Sequence, residues 1–167
     1  MSTPPTLVTL RVKAIFPTRM GCAIFLTDRD GKMEQFYIQT DVGIAINDYL
    51  NNESPPRPGT FDMTHTLLDS LGAQLTSFTI VRHEETDDTD GIYYARMVWQ
   101  ITNEVQERKI VEIDCRPSDG IALALRQKTP IHIVADLWEQ RPDMADLYQQ
   151  LTAQIDQAER ANDEDAL

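Results

Sequence analysis

Three charged side chains stand close together where the sequence predicts that a strand turns into a helix. Asp114, Arg116 and Asp119 directly precede the apolar stretch Ile121–Leu125. Two carboxylates at such a corner can converge on one Mg²⁺ or Mn²⁺ ion, because these metals prefer oxygen ligands. A bound metal activates water, and an arginine can clamp a phosphate oxygen. These residue types therefore predict phosphodiester hydrolysis, with Asp114 and Asp119 as candidate metal ligands.

The same cluster also has a purely structural interpretation. Pro117 suits the first position of a helix, and Asp119 in the first turn interacts favourably with the free N–H groups and the helix dipole. Arg116 can pair with a neighbouring carboxylate, and Arg126 is favoured at the other end of the helix. Helix capping and ion pairing thus explain the cluster without a reaction, and the residues taken alone favour this structural interpretation over the catalytic one.

The pattern of apolar residues predicts an α+β fold, a mixed and largely antiparallel sheet with helices packed on it. Strands are predicted at Thr6–Phe16, Cys22–Thr27, Glu34–Gln39, Gln74–His83, Ile92–Thr102, Arg108–Asp114 and Ile131–Val134. Helices are predicted at Thr40–Leu50, Thr60–Gly72, Pro117–Arg126 and Pro142–Ala161. Pro17 is expected to end the first strand, since proline has no N–H to donate. The buried side of the second helix is predicted to comprise Met63, Leu67, Leu68 and Leu71.

A short internal similarity bears on how the fold is organised. The segments Tyr37–Ile46 (YIQTDVGIAI) and Asp114–Leu123 (DCRPSDGIAL) both run from a strand end into a helix. Each carries Gly-Ile-Ala at the matching place, 77 residues apart. Convergence of strand–helix junctions on a small first turn is the simpler explanation, and a fold of two related halves is the alternative.

Composition and charge restrict the function further. The 167 residues carry a net charge of −12, with 15 basic residues against 27 acidic ones. A tight, non-specific nucleic-acid binder draws its affinity from basic residues, so this balance favours a nucleic acid bound only transiently. Cys22 and Cys115 match no disulfide framework or zinc spacing and are expected in the core. We expect a cytoplasmic protein without a membrane segment, because the sequence has neither an export signal nor an apolar run of roughly 20 residues.

Two segments resemble conserved blocks of the bifunctional nuclease (BFN) family. Asp114–Arg126, which reads DCRPSDGIALALR, is similar to the family signature, close to D-A-R-P-S-D-A-I-A-L-A-L-R. Upstream, RPGTFD at Arg57–Asp62 and LLDSLGA at Leu67–Ala73 resemble a second block, typically R-P-x-T-H-D-L followed by L-G-A. The resemblance covers roughly Thr6 to Trp138 in the expected order.

The resemblance implies a nuclease acting on RNA and DNA, with assistance from Mg²⁺ or Mn²⁺ as the expected cofactor. Carried onto this chain, it makes Asp114, Arg116 and Asp119 the catalytic candidates, with Asp62 and Arg57 in support. It also implies a BFN-like domain over residues 1–140, followed by a C-terminal helix and acidic tail over residues 141–167.

The chain departs from the family pattern at two places. Phe61 stands where the family usually has histidine, with His65 four residues further on, and the carboxylate of the first block is missing or displaced to Asp41. These changes leave room for an alternative function, a non-catalytic regulatory or oligomeric assembly module of the same fold. Some predicted strands have no evident element to cover them. They predict a homo-oligomer, whether the protein is a nuclease or a non-catalytic module.

Overall fold

The computed structural model describes residues 4–86 and 89–165, which form an α+β fold as predicted. The strands are β1 Leu7–Thr18, β2 Gly21–Thr27, β3 Met33–Ile38, β4 Ala73–Thr86, β5 Thr89–Thr102, β6 Arg108–Cys115 and β7 Ile131–Val134. The helices are α1 Thr40–Leu50, α2 Thr60–Ser70, α3 Pro117–Gln127, α4 Ala135–Gln140 and α5 Ala145–Asp165. No helix within these described residues combines the length and apolarity needed to cross a membrane.

The seven strands form one mixed sheet in the order β3-β2-β1-β7-β4-β5-β6. Neighbouring strands run antiparallel except β4 and β7, which are parallel. A parallel pair needs a crossover connection, and here the chain from β4 to β7 passes through β5, β6 and α3. The predicted fold class, a largely antiparallel mixed sheet with packed helices, is therefore confirmed.

Two halves of the chain repeat the same order of elements on either side of β7. The first half runs β1-β2-β3-α1 and the second runs β4-β5-β6-α3, and α1 packs against α3. Gln39 and Arg116, at the N-cap positions of α1 and α3, stand 77 residues apart and hydrogen-bond to each other. This arrangement is the one that two related halves would produce, and it joins their equivalent helix starts.

The sheet is strongly curved, so strands that are distant in its order come into contact. In a flat sheet β3 and β5 would lie about 24 Å apart, at ~4.8 Å per strand. Instead the ring centroids of Phe36 on β3 and Tyr93 on β5 are 4.6 Å apart, and the Tyr93 hydroxyl donates to Glu34 at 3.1 Å. The core lies inside this curve beneath α1 and α3, around the fully buried Phe78 and Ile121.

The predicted end of the first strand at Pro17 was wrong. Pro17 lies inside β1 opposite Cys22, and the strand continues to Thr18. On its other side β1 pairs with β7 only over Leu7–Leu10. The missing N–H of Pro17 therefore costs no hydrogen bond to β7, which explains why the strand continues.

The predicted buried side of α2 was also wrong for three of its four residues. The side chains of Met63, Leu67 and Leu71 are 59%, 57% and 61% exposed, and only Leu68 packs against the core. The helix packs beside α3 and β4, and its Phe61 and Leu68 side chains contact the hydrophobic core. A pattern of apolar residues identifies the helix, but it does not identify which face has a partner.

Candidate functional site

A groove of about 1140 Å³ opens between α1, the start of α2 and the start of α3. It brings together four of the five residues predicted from the sequence: Arg57, Asp62, Arg116 and Asp119. Because these residues come from two segments some 50 positions apart in the sequence, the fold must place the segments side by side. The remaining wall includes Asp41, Asp48 and Tyr49 of α1 and the loop that precedes α2.

The side chain of Arg116 is held in a fixed orientation at the rim of this groove. Its Nε and Nη2 donate to the two carboxylate oxygens of Asp119 at 2.7 and 3.0 Å, and its Nη1 donates to the Gln39 side-chain oxygen at 3.0 Å. The hydrogen bond and charge of Asp119 raise the pKa of Arg116, with Asp41 contributing. Three of the five guanidinium N–H groups are thus used, and two remain for a ligand.

Asp62 and Arg126 form a second ion pair, in which the arginine side chain is only 5% exposed. Nε of Arg126 donates to Asp62 Oδ1 at 2.7 Å, while the Gly59 N–H donates to Asp62 Oδ2 at 3.0 Å. Partial burial raises the pKa of Asp62, but the hydrogen bonds from Arg126 and Gly59 outweigh it and leave the pKa lowered. Arg126 also donates to the carbonyl oxygens of Ala122 and Ala45. Asp62 is therefore an ionised anchor that joins α2 to α3.

The departure at Phe61 is part of the same contact. The Arg126 guanidinium carbon lies 5.7 Å from the centroid of the Phe61 ring and 5.4 Å from that of Tyr49. Aromatic faces attract a guanidinium at these distances. His65, the displaced histidine of the sequence pattern, lies 2.9 Å from the Gln127 side chain and does not line the groove.

Asp114 lies apart from the other predicted residues and does not line the groove. It is exposed on β6, opposite Arg96 of β5, whereas the next residue, Cys115, packs against the core. Successive strand residues point to opposite faces, so Asp114 points away from the core. Burial, with the charges of Asp114 and Asp119, raises the pKa of the Cys115 thiol to about 12, which suits a core residue better than a nucleophile.

The two carboxylates predicted to share a metal are consequently not brought together. Both oxygens of Asp119 accept hydrogen bonds from Arg116, and Asp114 faces the opposite side of the sheet. Across the described part of the chain, no group of three or more His, Cys, Asp or Glu residues is arranged to hold a metal ion. Mg²⁺ or Mn²⁺ as a cofactor stays a prediction.

Sequence reasoning gave Gln39 no role and named Asp41 only as a displaced family carboxylate, yet the structure places both at the site. Gln39 fixes one nitrogen of Arg116, and Asp41 lies close enough for its charge to act on the same guanidinium. Both belong to the segment that matches the signature 77 residues later, since Gln39 occupies the position equivalent to Arg116. Taking the internal similarity as a guide to spatial neighbours would have found them.

A second cavity of about 860 Å³ lies on the other side of Arg116, which lines both. It contains Glu34, whose side chain is 3% exposed. Oε1 of Glu34 accepts from the Tyr93 hydroxyl at 3.1 Å and from Arg141 Nε at 3.4 Å, while Oε2 has no hydrogen-bond partner within the described residues. Burial raises the pKa of Glu34, and the opposing effects of Arg141, Tyr93 and Lys32 are smaller in sum.

The raised pKa of Glu34 predicts that the contribution of this one side chain to stability falls as pH rises. The folded state binds the Glu34 proton more tightly than the unfolded state does. The stabilisation from Glu34 is therefore fully present below its unfolded pKa of 4.5, and it is lost as pH rises through its higher folded pKa. Glu34→Gln removes the titration. We expect the free energy of unfolding of the wild type, relative to Glu34→Gln, to fall over this range in urea titrations. A difference that is flat or rises with pH would contradict the assignment.

Comparison with known proteins places this architecture in a defined family. The chain matches the bifunctional nuclease domain over residues 24–144, a segment that includes all the groove residues described above and ends just before α5. The chain belongs to the bifunctional nuclease domain family. It is also similar to two uncharacterized proteins of Mycobacterium tuberculosis, MT1877 and Rv1829, with 33% identity over 79 residues. That match covers 47% of this chain and 40% of each relative.

Proposed function

We propose that this protein hydrolyses phosphodiester bonds of RNA and DNA, and that the reaction takes place in the groove at Arg116. The observation that carries the proposal is the orientation of the Arg116 guanidinium at the rim of the groove, which hydrogen bonds to Asp119 and Gln39 hold in place. The chain is also a member of the bifunctional nuclease domain family. An arginine side chain that is already held in position loses little conformational entropy when it binds a phosphate.

Each groove residue has a role that follows from its contacts. Arg116 binds a non-bridging phosphate oxygen through its remaining N–H groups and stabilises the charge that develops during displacement. Arg57, which makes no ion pair with any described residue, supplies a second cation on the same groove. Asp119 is a positioning residue, because both of its oxygens orient Arg116. Asp41 is the groove carboxylate proposed to orient the attacking water.

The acidic character of the chain fits a substrate that is bound weakly and released quickly. The net charge is −12, and the groove also contains the carboxylates of Asp41, Asp48 and Asp62. Affinity for nucleic acid depends on the few phosphates that basic residues neutralise. With Arg57 and Arg116 as the contacts, we propose that RNA and DNA are transient substrates rather than stably bound partners.

Removal of the Arg116 side chain is expected to lower kcat/KM about 100-fold or more, since loss of one charge-stabilising donor has an effect of that order. Asp119→Asn should lower it by about 10-fold to 100-fold by releasing the fixed orientation of Arg116. The measurement is cleavage of single-stranded RNA and DNA by purified protein, with Mg²⁺, with Mn²⁺ and with a chelator. Activity that survives unchanged in both variants would indicate a contaminating nuclease.

Asp69→Asn serves as the matched control, because Asp69 is an exposed residue of α2 outside the groove lining. The Arg116 side chain is 57% exposed, and ion pairs this open contribute about 0–1 kcal/mol to stability. All three variants should therefore melt within a few degrees of the wild type. Under the proposal, lost activity occurs without lost stability.

The alternative is a non-catalytic regulatory or assembly module, and one observation favours it. The two groove arginines join α3 to α1 through Gln39 and Ala45, and Arg126 joins α3 to α2 through Asp62, so they hold helices together whether or not a reaction takes place. In that case Arg116→Ala and Asp119→Asn should reduce the melting temperature substantially, and no cleavage should be found with any metal. The same set of variants therefore separates the two functions.

A further inference from the structure

The two edges of the sheet differ in how they are covered. At the β3 edge, the Met144 N–H donates to the Met33 carbonyl at 2.8 Å and the Met33 N–H donates to Asp143 at 3.0 Å. At the other edge, β6 pairs with β5, and no further strand pairs with β6 within residues 4–86 and 89–165. The outer backbone groups of β6 are therefore available for another strand.

β6 carries charged residues, but it lacks two other features by which proteins protect a sheet edge, a proline and a bulge. Its eight residues, RKIVEIDC, contain no proline, and its register with β5 continues without a bulge. Ile110 and Ile113 are 61% and 43% exposed. A regular edge strand with exposed apolar side chains is a template for pairing with another chain.

The charges of β6 identify which chain would fit. Arg108 and Lys109 stand at its start and Glu112 and Asp114 at its end, so the strand has no net charge in a protein of net charge −12. A second copy laid antiparallel places the basic start of each strand beside the acidic end of the other. Opposite charges in directly facing positions stabilise strand pairs.

Two antiparallel registers place opposite charges in facing positions. In both, the corresponding faces of the two copies lie on the same side of the joined sheet. A twofold axis at Val111 places Arg108 opposite Asp114 of the other copy, and an axis at Ile110 places Arg108 opposite Glu112. In both registers the charge pair occurs twice, because a twofold interface repeats each contact. A parallel copy in the same register would instead face each charge with a like charge.

We propose that β6 of this protein pairs antiparallel with β6 of a second copy, so that the two sheets form one continuous sheet. In the register with the axis at Val111, the interface gives Asp114 a role that the groove does not, because Asp114 then faces Arg108 of the other copy. The proposal does not depend on hydrolysis in the groove, and it stands or falls by the association of the chain.

The experiment is a charge swap followed by sedimentation equilibrium of the purified chain. The wild type is expected to be a dimer at micromolar concentration, and Arg108→Glu should weaken the dimer at least 10-fold by placing like charges opposite one another. Adding Asp114→Arg should restore the dimer for the axis at Val111, and adding Glu112→Arg should restore it for the axis at Ile110. Restoration by either second substitution supports the proposal.

Control measurements separate this interface from association through a different surface of the chain. Leu67→Asp alters the exposed apolar side of α2 and should leave the dimer intact. Each variant is also melted, because Glu112 forms an ion pair with Arg96 of its own chain at 2.9 Å and Asp114 lies opposite the same arginine. A monomeric wild type, a failure of both swaps in folded protein, or a dimer dissociated by Leu67→Asp alone would overturn the proposal. Cleavage of RNA is measured separately, so either conclusion can fail without the other.

Discussion

Arg126→Ala is expected to lower the free energy of unfolding by about 3 kcal/mol, because it removes one member of a largely buried ion pair. The Arg126 side chain is 5% exposed and contacts all three helices around the groove. Alanine leaves Asp62 without its charged partner and removes the additional side-chain hydrogen bonds to the carbonyl oxygens of Ala122 and Ala45. Since Asp62 is 36% exposed, water solvates it in part, which places the loss at the lower end of the usual range.

The geometry explains why lysine cannot replace this arginine fully. Three different guanidinium nitrogens reach Asp62, Ala122 and Ala45, at 2.7, 3.0 and 3.2 Å. The planar group also lies against Phe61 and Tyr49. Lysine keeps the charge but has a single nitrogen and no flat surface. Arg126→Lys should therefore retain only part of the stability.

Urea unfolding followed by circular dichroism measures these changes in the free energy of unfolding. The slope of that free energy against urea concentration should be the same for the wild type and the variants. Asp62→Asn is the comparison from the other side of the pair. Its single amide oxygen cannot accept from both Arg126 and Gly59, and the buried Arg126 loses its counter-charge, so we expect a cost of about 2 kcal/mol. Both Arg126→Lys and Asp62→Asn should destabilise the protein less than Arg126→Ala. If Arg126→Ala were as stable as the wild type, Arg126 would not be the link between these helices.

Gly120→Ala is expected to destabilise the protein by about 1–3 kcal/mol, although alanine is the better helix former and is the residue of the family signature. A Cβ atom built at Gly120 would lie 2.0 Å from Cε2 of Phe78. Phe78 is fully buried, so its ring has no free space into which it can move. The steric cost should exceed the gain in helix propensity, which is about 1 kcal/mol.

A double-mutant cycle with Phe78→Leu tests the role of this ring directly. Leucine lacks the ring atoms that meet the new methyl group, so Gly120→Ala should cost less in the Phe78→Leu background than in the wild type. Gly59→Ala is the control, because its nearest atom is Asp62 Oδ2 at 3.5 Å, an ordinary contact. Equal costs of Gly120→Ala in both backgrounds would exclude the Phe78 ring as the cause.

Much of the fold follows from local patterns in the sequence. Helix α1 was predicted at its observed bounds, Thr40–Leu50, and β7 at Ile131–Val134, because each is a short apolar pattern with clear limits. α4 was missed, since six residues carry too little periodicity to predict a helix. Pro17 was misjudged because its effect depends on whether a neighbouring strand needs its N–H.

The signature at Asp114–Arg126 identified the family and the helix that carries Arg116 and Asp119. The sequence could also indicate that Arg57 and Asp62 belong to the same site, because the second block resembles the family pattern. The sequence could not show that the side chains of Asp114 and Asp119 point to different sides of the sheet. Five residues along the chain place two carboxylates near each other, but the alternation of a strand sends Asp114 to the far face.

The tertiary structure alone determined which groups meet. Curvature of the sheet brings β3 beside β5 and joins Gln39 to Arg116 across 77 residues of chain, and helix packing directs Arg126 towards Asp62. Such contacts depend on the relative placement of whole elements, about which a local pattern contains no information. The sequence therefore determined the family, most elements and the candidate residue types, while packing determined that Arg116 borders the groove and Asp114 the open edge.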